Sequence, residues 1–237
     1  MRFQSRFTSR FEPTRFRSRF DVEGGVYRRR ALASGIPGWV PAGAKLHLDH
    51  ENTRYWLDGV GVVNAWTDLP GAVGDIDATT AKLTLATAGI DISGGFACVL
   101  KGQASASGVA AVPIWWSVTS EAADSVHVFI NKTVTDRHGL RSNELGTQIV
   151  ADAGISVFDN TIAHAVSAGA AGRALGLSTS QSVTNGTAVP LGTQVTLNLL
   201  SREDLVGQAT GSRLDTFTLY EREFSAAECV TLAQGAM

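Results

Sequence analysis

Apolar and polar residues alternate over short stretches of the chain, with the two-residue period of a half-buried β-strand. The alternation is clearest in Gln194-Val-Thr-Leu-Asn-Leu199 and in Arg213-Leu-Asp-Thr-Phe-Thr-Leu-Tyr220, and Leu46-His-Leu-Asp49 shows it early. The same pattern predicts further strands at Lys82–Ala86, Phe96–Lys101, Pro113–Val118, Ser125–Ile130, Ile155–Phe158 and Ala163–Val166. Many short strands at this spacing indicate an all-β sandwich or barrel.

Two local signals add a hairpin and a helix. Asn185-Gly186 favours a type I′ turn, so a hairpin is predicted between Leu175–Ser178 and Thr184–Thr187, with its turn at the Asn-Gly pair. Ser225 with Glu228 three residues later has the spacing of a capping box. An apolar face made of Cys229, Val230 and Leu232 follows, which predicts a short C-terminal helix.

The first 30 residues have a different pattern, in which Arg-Phe pairs repeat about every four residues. The pairs are Arg2, Phe3, Arg6, Phe7, Arg10, Phe11, Arg15, Phe16, Arg19 and Phe20. Pro13 disfavours one continuous helix, so we predict an extended arm over residues 1–30 that orders on binding. Pro37, Pro41 and three glycines mark residues 31–45 as a linker, and the β domain is predicted to span 46–237.

Charge separates the arm from the domain. Residues 1–30 hold nine Arg and three acids, a net charge of +6, while the whole chain carries −2, so the remainder carries −8. An acidic domain disfavours nucleic-acid binding by bulk electrostatics, and the basic arm indicates docking onto something negative. We favour an arm that anchors between protein subunits, because five Phe side chains gain most when they are buried. A nucleic-acid-binding arm, an organelle transit peptide and a disordered tail are the alternatives.

Other features restrict the class of protein. Two cysteines, Cys98 and Cys229, make neither a disulfide framework nor a zinc pattern, and Cys98 shares strand parity with Phe96 and Leu100 as a buried thiol would. The apolar run Val109–Trp116 is too short for a membrane helix and contains Pro113. No secretory signal is visible, so we expect the protein to be made and assembled in a cytoplasm, without membrane, metal or cofactor.

The closing segment resembles that of a known family. Arg213 to Leu232 combines a last strand ending in an aromatic residue, a short basic turn and Ser-x-x-Glu, and it resembles the end of concanavalin A-like/laminin-G-like jelly rolls. Leu46-His-Leu-Asp49 with Arg54-Tyr-Trp56 is similar to the opening of such modules in bacteriophage tail and virion proteins. The resemblance covers about residues 46–235 and implies a two-sheet antiparallel jelly-roll sandwich.

Glycan binding, which the family implies, needs aromatic platforms with nearby polar groups. The candidates chosen from the sequence are Trp66, Asp68, Trp115, Trp116 and His127. Trp115 and Trp116 are adjacent, so in a strand they point to opposite faces, and one of them belongs to the core. His127 lies in the predicted strand Ser125–Ile130, where we expect it to share the open face.

Catalytic signals are weak. Glycoside hydrolysis uses two carboxylates, but Asp49/Glu51 lies at a strand end and Asp75/Asp77 lies in a Gly-rich loop. No Gly-x-Ser-x-Gly elbow is present. Two oxygen-rich sets, one of Asp136, Asn143 and Glu144 and one of Asp68, Asp75 and Asp77, are interpreted as polar loops rather than calcium sites.

The sequence hypothesis is therefore a non-enzymatic bacteriophage virion protein. Its arm would dock on capsid or tail subunits, and its jelly roll would project as a tail fibre, head spike or decoration module. The expected partners are other virion proteins, further copies in a homo-oligomer, and host surface carbohydrate bound through avidity. A glycan-active enzyme or free lectin of the same fold, and a cement protein without a ligand, remain the alternatives.

Overall fold

The computed structural model describes residues 22–23, 26–27, 36–105, 114–120, 125–130, 137–142, 147–152, 158, 160–192, 194–201 and 211–237. The chain divides into two compact units, residues 1–37 and residues 38–237. In the first unit, β1 (Val22–Glu23) pairs antiparallel with β2 (Val26–Tyr27). The ten Arg and Phe residues of the predicted anchor lie outside the described residues.

The second unit is built from antiparallel strands and ends in one helix. Its strands are β3 (Leu46–Asp49), β4 (Arg54–Leu57), β5 (Gly61–Val63), β6 (Ala72–Val73), β7 (Lys82–Thr84), β8 (Phe96–Gln103), β9 (Ile114–Ser120), β10 (Ser125–Ile130), β11 (Arg137–Ser142), β12 (Thr147–Asp152), β13 (Ile162–Gly169), β14 (Gly172–Leu177), β15 (Ser182–Asn185), β16 (Gln194–Leu199) and β17 (Arg213–Tyr220). The helix is α1 (Ala226–Gly235), and a 3-10 turn spans Trp66–Asp68.

These strands form two sheets within the described residues. The eight-stranded sheet has the order β15-β14-β13-β8-β17-β3-β4-β5, and the seven-stranded sheet has the order β12-β11-β10-β9-β16-β7-β6. The first strand of the unit, β3, pairs antiparallel with its last strand, β17. The prediction of an all-β, two-sheet antiparallel jelly-roll sandwich with a short C-terminal helix is confirmed.

The main core lies between the two sheets and follows from strand alternation. Leu46 and Leu48 of β3 and Phe217 and Leu219 of β17 all point into it and are fully buried. Trp116 of β9 enters from the opposite sheet and contacts Phe96 and Phe217 edge-on, with ring centroids 5.8 and 6.4 Å apart. These aromatic contacts join the two sheets, since such pairs add to the free energy gained from burial alone.

A second apolar layer covers the outer face of the eight-stranded sheet. There α1 packs through Cys229 and Ala233 onto small side chains such as Ala163 and Ala165. A Cβ placed on Gly176 of β14 would lie 2.5 Å from the backbone nitrogen of Val230, so the absence of a side chain there lets the helix approach closely. Val40 and Ala44, which belong to the segment predicted as a linker, are buried in the same layer.

The predicted capping box of α1 is present. The Ser225 hydroxyl accepts a hydrogen bond from the Glu228 backbone N–H, and the Ser225 N–H donates to Glu228 Oε2 at 2.7 Å. Cys98 is buried, as its parity with Phe96 and Leu100 indicated.

The predicted hairpin forms, but its turn is not at Asn185-Gly186. β14 and β15 pair directly, and the chain reverses over residues 178–181, where Leu177 N–H donates to Gln181 O. Ser180 takes the left-handed conformation in that turn, with φ of 71°. Asn185 instead ends β15, and its side-chain oxygen accepts a hydrogen bond from the Thr187 N–H at 2.8 Å. The local Asx interaction therefore replaced the expected type I′ turn.

Candidate functional site

A cleft of about 340 Å³ opens on the outer face of the eight-stranded sheet, beside the last turn of α1. Its lining residues come from β3, β4, β8 and β17, from α1 and from the segment that contains Trp39 and Pro41. The cleft is large enough for a small ligand, since binding pockets commonly start near 300 Å³. Because it combines an indole with polar side chains, we refer to it as the Trp39 cleft.

Strand alternation aims the polar side chains of β3 at this cleft. Leu46 and Leu48 enter the core, so His47 and Asp49 project from the opposite face. Thr218 of β17 lies directly across from His47 in the strand register, and His47 Nδ1 is 2.8 Å from Thr218 Oγ1. The imidazole is therefore fixed by a neighbouring strand.

His47 is a neutral imidazole near neutral pH. Burial lowers its pKa to about 4; Asp49 raises the pKa and Arg54 lowers it, both by smaller amounts. A neutral imidazole carries one donor and one acceptor nitrogen, so it can serve a ligand as either a donor or an acceptor. As a base it is weak, because its conjugate acid loses the proton so readily.

Asp49 and Arg54 form a partly buried ion pair at one side of the cleft. Both Nε and Nη2 of Arg54 lie 2.6 Å from Asp49 Oδ2, and Asn52 Nδ2 donates to Asp49 Oδ1 at 2.9 Å. Burial raises the pKa of Asp49, but the hydrogen bonds from Asn52 and Arg54 outweigh burial, so the net pKa lies below the ordinary value. The carboxylate is consequently ionised at neutral pH and its charge is matched by the guanidinium.

Trp39 supplies the aromatic wall of the cleft. Its indole is half-buried, the Arg54 guanidinium carbon lies 4.4 Å from the ring centroid, and the His47 ring centroid lies 5.4 Å away at an interplanar angle of 45°. The cation–π contact and the ion pair together hold the Arg54 side chain, which still has 38% of its surface exposed. The arrangement places hydrogen-bond donors and acceptors beside an indole.

The glycan-binding role expected of Trp66 is corrected by its position. Trp66 is buried in the core at 6% exposure, and its indole Nε1 donates to Val73 O at 3.0 Å. The indole ring therefore packs in the core, and its N–H group already has a backbone acceptor, so neither faces a ligand. Asp68, two residues on in the same 3-10 turn, is exposed but lacks the aromatic partner that the hypothesis required.

Trp116 is also corrected, because it is the core member of the Trp115/Trp116 pair. It is fully buried and its Nε1 donates to His164 Nε2 at 3.1 Å, so it offers nothing to a ligand. The side chains of Trp115 and His127 lie outside the part of the chain that the structure describes. Their strands β9 and β10 pair with each other, and His127 is in register with Ser117.

Asp75 and Asp77, which were considered for catalysis and for calcium, have local partners, while Asp136, Asn143 and Glu144 lie outside the described residues. Asp77 N–H donates to Asp75 Oδ1 at 2.9 Å, and Asp77 Oδ1 lies 3.0 Å from His50 Nε2. Among the described residues, no three His, Cys, Asp or Glu side chains are grouped closely enough to hold a metal ion. None of the helices in those same parts of the chain has the length and apolarity of a membrane span.

The Trp39 cleft was not found from the sequence. Trp39 lies between Pro37 and Pro41, and composition alone marked that segment as a linker. The alternation Leu46-His-Leu-Asp49 did contain a signal, because it places a histidine and an aspartate together on the face opposite two leucines. Only the pairing of β3 with β4 brings Arg54 to Asp49.

Comparisons with known proteins yield likenesses of structure. The sequence matched no protein-family model, and no curated protein matched it either. A sialidase from Trypanosoma rangeli, in complex with 2,3-difluoro-KDN, is similar over 83% of this chain and 33% of its own length, with a TM-score of 0.57 and 11% identity. This chain therefore spans about a third of that sialidase.

Two further likenesses cover a smaller part of the chain. The CBM40 of the Ruminococcus gnavus IT-sialidase, bound to α2,3-sialyllactose, is similar over 59% of this chain and 82% of its own, at 15% identity and a TM-score of 0.47. The NanB sialidase of Streptococcus pneumoniae is similar over 58% of this chain and 24% of its own, at 13% identity and a TM-score of 0.44. At these identities the comparisons concern the fold alone, and the function has to be argued from the site.

Proposed function

We propose that this protein is a non-enzymatic glycan-binding module whose ligand occupies the Trp39 cleft. The observation that carries the proposal is the combination of a half-buried indole with a fixed Asp49–Arg54 pair and a neutral His47 in one open cleft. Sugars present apolar C–H faces and many hydroxyls, so an aromatic wall with adjacent donors and acceptors matches their chemistry. The fixed side chains limit the entropy that binding would cost.

The cleft is better suited to binding than to glycoside hydrolysis. Hydrolysis requires two carboxyl groups on opposite sides of the scissile bond, and Asp49 is the one carboxylate among the described residues that line the cleft. Asp49 also has hydrogen-bond donors on both of its oxygens, from Arg54 and Asn52. The low pKa of His47 makes it a weak general base at neutral pH.

Trp39→Ala tests the proposal directly. Measured by glycan array and then by isothermal titration calorimetry with the best array ligand, the full chain should bind, and Trp39→Ala should weaken binding by about tenfold or more, as loss of a binding aromatic does. Val62→Ala, an exposed residue on β5, is the control and should bind as the unaltered chain does. Equal affinity of Trp39→Ala and the unaltered chain would remove the cleft as the binding site.

We further propose that residues 1–30 anchor the module to a virion, on capsid or tail subunits, with the jelly roll exposed. The support is the sequence: five Arg-Phe pairs and a net charge of +6 precede a remainder that carries −8. Many anchored copies would convert weak binding of a single sugar into strong attachment to a glycan-coated surface. The similar sialidase structures do not bear on this location.

A further inference from the structure

We infer that the Trp39 cleft takes neutral sugars and discriminates against sugars that carry a carboxylate. The inference rests on the proposed glycan-binding function and specifies its ligand class. It follows from the charges around the cleft. The positive charge of Arg54 is matched by Asp49, and the nearby end of α1 carries partial negative charge.

The ion pair leaves no uncompensated positive charge for an anion. Arg54 and Asp49 are the oppositely charged side chains that line the cleft, and two guanidinium nitrogens lie 2.6 Å from Asp49 Oδ2. A carboxylate brought to Arg54 would meet the Asp49 carboxylate at the same place, and like charges at such short range repel. The buried imidazole of His47 adds no positive charge at neutral pH.

The helix strengthens this preference. Thr231, Leu232 and Gly235 from the C-terminal half of α1, and Ala236, which caps the helix, line the cleft. The C-terminal end of a helix carries partial negative charge, which favours hydrogen-bond donors and disfavours anions. The charge-matched Asp49–Arg54 pair and the C-terminal end of α1 therefore both lack the uncompensated positive charge that a carboxylate would need.

Hydroxyl groups fit the same surroundings. A sugar hydroxyl both donates and accepts, so adjacent hydroxyls can donate to Asp49 and accept from the exposed part of the Arg54 guanidinium. A carboxylate only accepts, so it cannot donate to Asp49. The Asp49–Arg54 pair therefore selects ligands that offer a hydrogen-bond donor and a hydrogen-bond acceptor at neighbouring positions.

The test uses matched sugars on the full chain in isothermal titration calorimetry: methyl glucoside against methyl glucuronide, methyl galactoside against methyl galacturonide, and lactose against 3′-sialyllactose, with any neutral array ligand added. We expect a neutral member to bind at least about tenfold more tightly than its carboxylated counterpart. A carboxylated member that binds as tightly or more tightly would overturn the inference and leave the glycan-binding proposal standing. Absence of binding to every sugar would overturn both.

Asp49→Asn isolates the charge. The amide keeps the shape and a hydrogen-bond acceptor but leaves the Arg54 charge uncompensated, so the carboxylated member should gain affinity relative to the neutral one by about tenfold. Asp58→Asn removes another carboxylate that pairs with a cation, Lys45 at 2.9 Å, outside the cleft lining, and should leave the ratio unchanged. An unchanged ratio in Asp49→Asn would contradict the electrostatic account, and a melting curve on each variant checks that it folds.

Discussion

At the scale of single residues, the Trp39 cleft depends on side chains whose neighbours fix their charge. His47 has 6% of its surface exposed, and its ring nitrogen is held by Thr218. Asp49 is exposed to the same small extent, but it is ionised because Arg54 and Asn52 donate to it. Two buried polar residues on one strand thus differ in charge, because donors and a cation hold Asp49 ionised, whereas burial keeps His47 neutral.

Stability should depend on pH through His47. The pKa of His47 is about 4 in the folded protein and 6.5 ordinarily. Between these two values the imidazole binds a proton in the unfolded chain but stays neutral in the folded protein. The contribution of His47 to the free energy of unfolding is fully present above pH 6.5. Up to about 3 kcal/mol of it is lost as the pH falls towards 4. Urea unfolding between pH 4 and pH 7 should show this loss in the unaltered chain and a smaller one in His47→Gln.

The comparison of the two proteins removes the effect of other titrating groups. Gln keeps a hydrogen-bonding group near Thr218 and has no proton to gain, so the difference in slope belongs to His47. Identical pH dependence of the unfolding free energy in both proteins would contradict the neutral, buried state assigned to this imidazole.

At the scale of elements, the position of α1 determines both the outer apolar layer and one side of the cleft. Gly176→Ala would bring a Cβ to 2.5 Å from Val230 N and 2.7 Å from the Cys229 carbonyl carbon. The helix must shift, at a cost of about 1–3 kcal/mol typical of overpacking, and the affinity for a sugar should fall with it. Urea unfolding and calorimetric titration measure the two effects.

Gly94→Ala is the matched control for that substitution. A Cβ at Gly94 would meet nothing within 4 Å. Its stability and sugar affinity should therefore stay close to those of the unaltered chain. If Gly176→Ala behaved like Gly94→Ala, the close packing of α1 on β14 would be refuted.

The sequence predicted the individual strands better than it predicted their turns, their pairing and their packing. Alternation identified β3, β16 and β17 and the faces of Leu46 and Leu48, because one side of each strand is buried. The turn between β14 and β15 was missed because a Ser in a left-handed conformation has no reliable sequence signal, whereas Asn-Gly has a strong one that was not used. The cleft was missed because Trp39, Asp49 and Arg54 meet only through chain pairing and packing.

At the scale of the whole molecule, residues 38–237 form their own compact unit with a core between two sheets. A chain lacking residues 1–30 should accordingly fold, with an unfolding midpoint in urea close to that of the full chain and with unchanged affinity for sugar. On the virion proposal it should no longer enter particles, because the Arg-Phe pairs are gone. Immunoblots of purified particles measure this, and incorporation of the truncated chain at the normal level would refute anchoring by the arm.

The most direct test of the central claim, that a sugar occupies the Trp39 cleft, is a ¹H–¹⁵N NMR titration of the chain with its best neutral ligand. The account predicts that the Trp39 indole and Arg54 Nε resonances move and saturate together, while the indole resonances of Trp66 and Trp116, which are buried and hydrogen-bonded, stay in place. Saturating shifts that spare Trp39 and Arg54 would place the ligand elsewhere and contradict the account.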